Sequence, residues 1–331
     1  MLALSTVVKN QMRIATFNLE SLDIPVEPRA AVLGPALERL QADIVCLQEI
    51  NGQHIKGRPA RALLALDQLL AGTPYAAYHR AATTLRDGSG PSDVHNLVTL
   101  SRYPILSKRQ VLHDLLPPAM ACLVTAEPGE GVPRPIMFDR PILLTQHDLG
   151  STTLFVVNVH LRAPIAAAVP GGKLAPFAWK GVSTWAEGYY LSGMKRSGQA
   201  LELRLLIDGL FDTHPQAMVL VAGDFNAEDH ETPVRIVAGS PEDTGNPYLA
   251  ARAMVLLDRA LDGDRRFSVV HHGRPQMLDH MLASHNLYGQ FRSIEVHNEA
   301  LGDEAIGYAK GVEAMGSYHA AVVATFAVTT K

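Results

Sequence analysis

Runs of small and branched apolar residues that stop abruptly at polar ones recur along the chain. The segments 12–20 (MRIATFNLE), 43–50 (DIVCLQEI), 95–102 (HNLVTLSR), 154–162 (LFVVNVHLR), 218–226 (MVLVAGDFN) and 276–284 (QMLDHMLAS) share this shape. The segment 318–328 (YHAAVVATFAV) reverses it, with the polar residues first. Short runs rich in Val, Ile, Leu and Thr predict strands covered on both faces. Apolar residues at helical spacing predict helices over 29–42 and over 59–72, the latter stopped by Gly72. The longest helical pattern covers 193–215 and is closed by Pro215, and a further short helix is expected over 232–239. The order of these elements predicts an α/β protein in which mixed sheet is layered with helices. The least regular stretch is 163–192, which holds Trp179 and Trp185 with Phe177, Tyr189 and Tyr190 nearby. It is expected as a long loop, either packed on the surface or forming a lid or rim beside a site. No fixed-period repeat or low-complexity tract interrupts the pattern.

Composition changes this picture little. The 331 residues are 47% apolar and 19% charged, enough for a sizeable core and unlike a disordered chain. A net charge of −4 argues against an obligate nucleic-acid coat, although a local basic rim remains open. Cys46 and Cys122 both sit among apolar neighbours and are expected as buried thiols of a reducing compartment. The amino terminus lacks the ordered parts of a secretion signal, and no apolar run reaches the roughly 18–20 residues that span a bilayer. A cytoplasmic location, with no membrane span and no protein partner, is the expectation.

The polar residues that end the strands carry the candidate chemistry. Asn18 follows the first strand, Glu49 the second, and His160 lies at the end of the 154–162 run. Asp224 and Asn226 end the 218–226 run, Asp279 lies within 276–284, and His319 opens the last strand. Gathered at one edge of layered sheets, they would form a site rich in oxygen donors. Such a set favours a hard cation, Mg²⁺ or Mn²⁺, and no cluster has zinc spacing. In an extended chain Asp224 and Asn226 would point to one side while Phe225 anchors the other. The same alternation turns His280 away from Asp279. His271, His272 and His285 carry no spacing signal.

The stretches "TFNLE", "LQEI", "NVHLR", "GDFNAE", "LDHML" and "SYHAAVVATF", in this order from about residue 12 to residue 327, resemble the endonuclease/exonuclease/phosphatase superfamily. That resemblance implies a four-layered α/β sandwich, two facing mixed sheets flanked by helices, and divalent-metal-dependent cleavage of phosphate esters. It implies one domain over 12–328 with an insertion loop at about 163–192. By the same resemblance Glu49 is the principal metal carboxylate, and Asn18 completes the metal and phosphate environment. Asp224 orients or deprotonates the attacking water, and Asn226 holds a phosphate oxygen. His319 is paired with the carboxylate of Asp279, and His160 stands near the leaving group. Arg140, Arg196 and Gln199 occupy positions where the family has similar residues; for Arg196, support of a helix and loop competes with phosphate contact.

One motif departs from the family. Ser317-Tyr318-His319 stands where most members have Ser-Asp-His, so a carboxylate near the metal and histidine is replaced by a phenol. The leading expectation is a nuclease-like phosphodiesterase acting on a phosphoester substrate, with DNA and RNA among the candidates. The alternatives are an enzyme for a small or lipid phosphoester and a phosphate-binding homologue without turnover.

Overall fold

Two six-stranded sheets frame the structure, a computed structural model that describes residues 10–129, 131–150, 152–309 and 315–328. In chain order their strands are β1 (Asn10–Leu22), β2 (Ile44–Ile50), β3 (His79–Ala82), β4 (Asn96–Ser101), β5 (Ile105–Val111) and β6 (Ile142–Asp148), followed by β7 (Thr153–His160), β8 (Met218–Asp224), β9 (Met254–Leu256), β10 (Asp279–Ser284), β11 (Phe291–Val296) and β12 (Val322–Val328). The first sheet has the order β11-β12-β1-β2-β4-β3 and the second β9-β10-β8-β7-β6-β5. Both sheets are mixed: β1 pairs β2 and β7 pairs β8 in parallel, and the other neighbours are antiparallel.

Period-two alternation explains why the strands read as unbroken apolar runs. Ile14, Ile44 and Cys46 of the first sheet meet Leu154, Val156, Leu220 and Ala222 of the second in a core between the sheets. Their neighbours face outward. Ala15, Val45 and Leu47 pack against Leu33 and Leu37 of α1 (Glu27–Leu40) and Leu66 and Leu69 of α2 (Leu64–Leu70). Phe155, Val157, Val219 and Val221 pack against Leu203 and Ile207 of α3 (Val182–Thr213) and Val234 of α4 (Thr232–Ala238). Each sheet is therefore covered twice, and the four layers are helix, sheet, sheet and helix, as the resemblance implied.

Four expectations need correction. The helix predicted over 59–72 covers only Leu64–Leu70, because the residues before it pair back through Gln53 and Ala62. The long helix begins at Val182, eleven residues before the predicted 193, so the last eleven residues of the expected 163–192 loop are helical. Trp185, Tyr189 and Tyr190 lie on that helix, while Lys173–Ala175 pairs with Ala178–Trp179 in a small hairpin. The aromatic residues and scattered polar ones hid the helix because its amphipathic stripe is weak. Cys46 is buried but Cys122 is exposed, since the segment around it lies on the surface, outside the two sheets. Among the described residues no helix is long and apolar enough to cross a membrane. Residues 1–9 of the amino terminus, on which the absence of a secretion signal was judged, lie outside the described residues.

Candidate active site

The inner faces of both sheets turn polar at one edge. Continuing the inward alternation past the apolar core gives Thr16, Asn18 and Gln48 in the first sheet and Asn158, His160, Asp224 and Asp279 in the second, all buried. Gln48 Nε2 donates to Asn158 Oδ1 at 2.8 Å and ties the two sheets together just behind this edge. Register aligns the second-sheet residues, for Asp224 lies opposite both His160 and Asp279. The chain enters β12 beside them: Ser317 Oγ donates to the Asn18 carbonyl at 2.8 Å and receives the His319 N–H at 3.0 Å.

Asp224 is the centre. Its Oδ2 accepts from Asn18 Nδ2 at 3.0 Å and Asn226 Nδ2 at 3.1 Å, with His160 Nε2 at 3.3 Å and His319 Nε2 at 4.0 Å. Burial alone would raise its pKa, but the two histidines and the backbone N–H of Asn226 hold the carboxyl well below the usual range. The expected alternation across Asp224, Phe225 and Asn226 is not what places the pair. The strand ends at Asp224, Asn226 turns left-handed at φ 49°, and its N–H donates to Asp224 Oδ1 at 2.8 Å. This is a side-chain-closed turn of the kind Asp and Asn favour. Phe225 is fully buried, as expected. Gly223 is required just before it: at φ 151° a Cβ would stand 2.0 Å from the Val159 carbonyl oxygen.

Asp279 and His319 form the second unit, with Nδ1 of the imidazole 2.8 Å from Asp279 Oδ2. Burial opposes charge on the ring, yet Asp279 and Asp224 together raise its proton affinity well above the ordinary value. Asp279 itself is raised, first by burial and then by Asp224, against the pull of His319. The fixed Nδ1–H turns Nε2 toward Asp224 and the cleft.

Glu49 reaches the site by a device absent from the sequence pattern. Alternation along β2 would point it outward, with Val45 and Leu47. A register shift between Leu47 and Ile50 and a left-handed φ of 60° at Glu49 swing it inward. Its Oε2 accepts from Ser21 N at 2.8 Å and Ser21 Oγ at 3.2 Å, while Oε1 lies 3.4 Å from Asn18 Nδ2 and 3.5 Å from His160 Nε2. Burial raises the pKa of Glu49, but His160, His95, His319 and Arg140 outweigh it and leave the carboxylate ionised more readily than usual. Asn18 Oδ1 accepts the Glu20 N–H at 2.8 Å, so its amide nitrogen, not its oxygen, faces the two carboxylates.

The structure thus brings all seven sequence-predicted residues to one cleft. It also adds two that sequence reasoning missed. His95 lies edge-on to His160, ring centroids 5.7 Å apart, and burial followed by Arg140 pushes its pKa down to about 4. Glu20 accepts from Tyr318 N at 2.7 Å and from Tyr308 Oη at 2.8 Å, putting a carboxylate at the corner where Tyr318 removed one. Glu20 closes the stretch TFNLE and His95 opens the 95–102 run, but neither has a role in the sequence reading. Arg196 and Gln199 act as supports in this structure. Arg196 Nη2 donates to the Asn226 carbonyl at 2.6 Å, and Gln199 bridges the Arg140 carbonyl (3.0 Å) and the Arg162 N–H (2.9 Å). Arg140 Nη1 in turn donates to the Leu161 carbonyl at 2.8 Å.

The donor set suits a divalent cation. Two groups of three, Glu49–His95–His160 and Asp224–Asp279–His319, each have ligand atoms within 4.8 Å of one another. Side-chain atoms with no hydrogen-bond partner concentrate here too: His95 Nδ1, His160 Nδ1 and Asp279 Oδ1 are all buried. Buried polar atoms without partners mark places where an ion or water is expected.

Comparison with known proteins agrees with the architecture. Solved structures of similar fold include an endonuclease/exonuclease/phosphatase from Bacteroides vulgatus, with 16% identity, TM-score 0.57 and coverage of 96% of this chain and 98% of that one. Truncated TDP2 from Caenorhabditis elegans follows at 14% identity and TM-score 0.56, covering 96% and 98%. An AP endonuclease from Archaeoglobus fulgidus matches at 15% identity and TM-score 0.51, covering 96% and 100%. No curated protein gives a significant sequence match. The model of the Endonuclease/Exonuclease/phosphatase family matches residues 15–319, a span that holds every one of the seven predicted site residues. The chain belongs to the endonuclease/exonuclease/phosphatase family.

Proposed function

We propose that this protein is a divalent-metal-dependent phosphodiesterase of nuclease type, hydrolysing a P–O ester bond by water attack. The observation that carries the proposal is the buried, ionised Asp224 set between two histidines, with the Asp279–His319 pair on one side and Glu49 on the other. A cation of the Mg²⁺ or Mn²⁺ type, held by Glu49 and the neighbouring donors, would neutralise charge on a phosphate oxygen and acidify bound water.

The chain's own groups account for the proton movements. Asp224 orients the attacking water and accepts its proton, and Asn18 and Asn226 fix the carboxylate by donating to Oδ2. Asn226 spends both amide hydrogens on Asp224 and the Leu161 carbonyl, so its first task is to hold this turn. His319, kept charged by Asp279, donates to the phosphate as negative charge develops. His160 has its proton affinity lowered by burial and by Arg140, which fits a neutral ring and assigns the acid role to His319.

Nucleic acid is the favoured substrate class. Trp185 and Tyr189 stack with ring centroids 5.6 Å apart, and Tyr189, Ser192, Arg196 and Gln199 continue the same stripe of α3 at helical spacing. Seven residues from Tyr189 to Arg196 span about 10 Å, so a stacked aromatic pair lies one to two nucleotides from the residue that holds the Asn226 loop. Endonucleolytic action is named for the AP endonuclease among the structural neighbours. One domain over 12–328, in the cytoplasm and without a protein partner, belongs to the same reading; a core built from both halves of the chain supports the single domain.

The test is hydrolysis of bis(p-nitrophenyl) phosphate with and without Mg²⁺ or Mn²⁺, beside Glu49→Ala and Asp279→Ala. Metal-dependent release is expected, with Asp279→Ala lower by about 10²–10⁴-fold, the usual worth of positioned acid–base help. Release that is undiminished in both variants would place the chemistry elsewhere.

A further inference from the structure

His95 stands in an uncommon backbone conformation. It precedes β4 in the left-handed region, φ 59°, which glycine adopts freely and other residues, histidine included, only uncommonly. Its imidazole lies half-buried beside the fully buried ring of His160, at an interplanar angle of 79°. Each ring has a buried Nδ1 with no hydrogen-bond partner. The unpartnered Nδ1 of His95 is costly unless something binds it, while His160 turns its other nitrogen, Nε2, to Glu49 Oε1 at 3.5 Å. One ring nitrogen from each, together with a carboxylate oxygen of Glu49, falls within 4.8 Å of the others. Ser21 fixes Glu49 through Oε2, which leaves Oε1 with only long contacts of 3.4 Å to Asn18 and 3.5 Å to His160.

Packing alone does not account for His95. A half-buried imidazole whose Nδ1 has no partner gains little from packing there, and a left-handed position is filled more cheaply by glycine. Two imidazoles and one carboxylate form a ligand set for borderline transition cations. Magnesium prefers an all-oxygen octahedron and gains little from nitrogen donors.

We infer that Glu49, His95 and His160 form a three-ligand site that selects a transition cation of the Mn²⁺, Co²⁺ or Zn²⁺ class over Mg²⁺. The inference rests on the proposed reading of Glu49 as a metal ligand, but not on turnover. It assigns His160 to the cation and leaves His319 as the proton donor.

Binding, not activity, tests it. Chelator-treated protein is titrated with Co²⁺ and followed by visible absorption, with Zn²⁺ and Mg²⁺ by calorimetry, for the unmutated chain and His95→Gly. Glycine suits the observed φ, so the backbone is preserved; His95→Asn, also tolerant of this conformation, is the second variant. The expected result is a Co²⁺ spectrum distinct from the aqueous ion and Zn²⁺ binding tighter than Mg²⁺. In both variants Co²⁺ and Zn²⁺ affinity should fall at least about ten-fold, as for disruption of metal surroundings generally, with Mg²⁺ affinity unchanged. Equal Co²⁺ spectra and affinities in the unmutated chain and either folded variant would overturn the inference. Tight, His95-dependent binding without phosphodiester hydrolysis would sink the proposed function and leave the site standing. Hydrolysis with metal binding indifferent to His95 would do the reverse.

Discussion

At the scale of single residues, the site depends on groups whose charge is set by what they touch. His280 shows this outside the cleft. Alternation turns it away from Asp279, as the sequence indicated, into a wholly buried position. There Nδ1 lies 3.1 Å from Asp258 Oδ1 and Nε2 2.8 Å from the Ala227 carbonyl. Both partners are acceptors, so both ring nitrogens carry protons. Burial opposes that charge, but Asp258 outweighs it, and the pKa is raised above the ordinary 6.5. A raised folded value gives stability that is complete below 6.5 and lost as pH climbs through the folded value. His280→Gln should therefore remove the loss of stability on the alkaline side of neutrality, measured as Tm against pH. His280→Ala should cost less in urea unfolding at neutral pH than the roughly 3–5 kcal/mol of an uncompensated buried charge, because Arg266 Nη2, 2.7 Å from Asp258 Oδ2, still pairs with the carboxylate. An unchanged alkaline slope in His280→Gln would show that another group titrates there.

At the scale of elements, short irregularities at strand ends do what regular strands cannot. β2 would carry Glu49 outward, and the shift of register before Ile50 brings it in. Glu20 and Ser21 are both left-handed at φ 50°, which folds the end of β1 over Glu49 so that Ser21 can clamp it. α3 works differently, as one rigid stripe. Gln199 and Arg196 hold the loops after β7 and β8, and Trp185 and Tyr189 stand on the same line nearer the helix start. If that line guides a nucleic acid, Trp185→Ala should weaken binding of a short single-stranded oligonucleotide about ten-fold, the loss of one stacked base. Turnover of bis(p-nitrophenyl) phosphate, too small to reach the aromatic pair, should be unaffected. Equal oligonucleotide affinity, read by fluorescence anisotropy, would remove the helix from the substrate path.

At the scale of the whole molecule, charge and layering set the terms on which substrate is met. A net charge of −4 gives no long-range attraction for a polyanion. Oligonucleotide binding should accordingly fall only gently with salt, with a log–log slope of about −2 to −3, equal to a few phosphate contacts. A steep slope would mean a basic surface that the net charge conceals. The fold itself was legible because both faces of each sheet are covered, which writes strands as unbroken apolar runs such as 154–159 and 218–222. The residues Asn18, His160, Asp224 and Asp279 were legible for the same reason, since a polar side chain that continues an inward alternation breaks the run visibly. Helix limits were less so: the polar, aromatic start of α3 reads as loop because its apolar stripe is interrupted. The sequence by itself determined the strands covered on both faces and the order of their polar ends, consequences of a two-residue period that is local, while the four layers and the pairing of Asp279 with His319 were implied by the family resemblance. Only the tertiary structure decided that Glu49 turns inward, that Asn226 closes a turn on Asp224, and that His95 meets His160. Those outcomes depend on left-handed residues and a shifted register, whose energy is settled by contacts with strands far away in the chain.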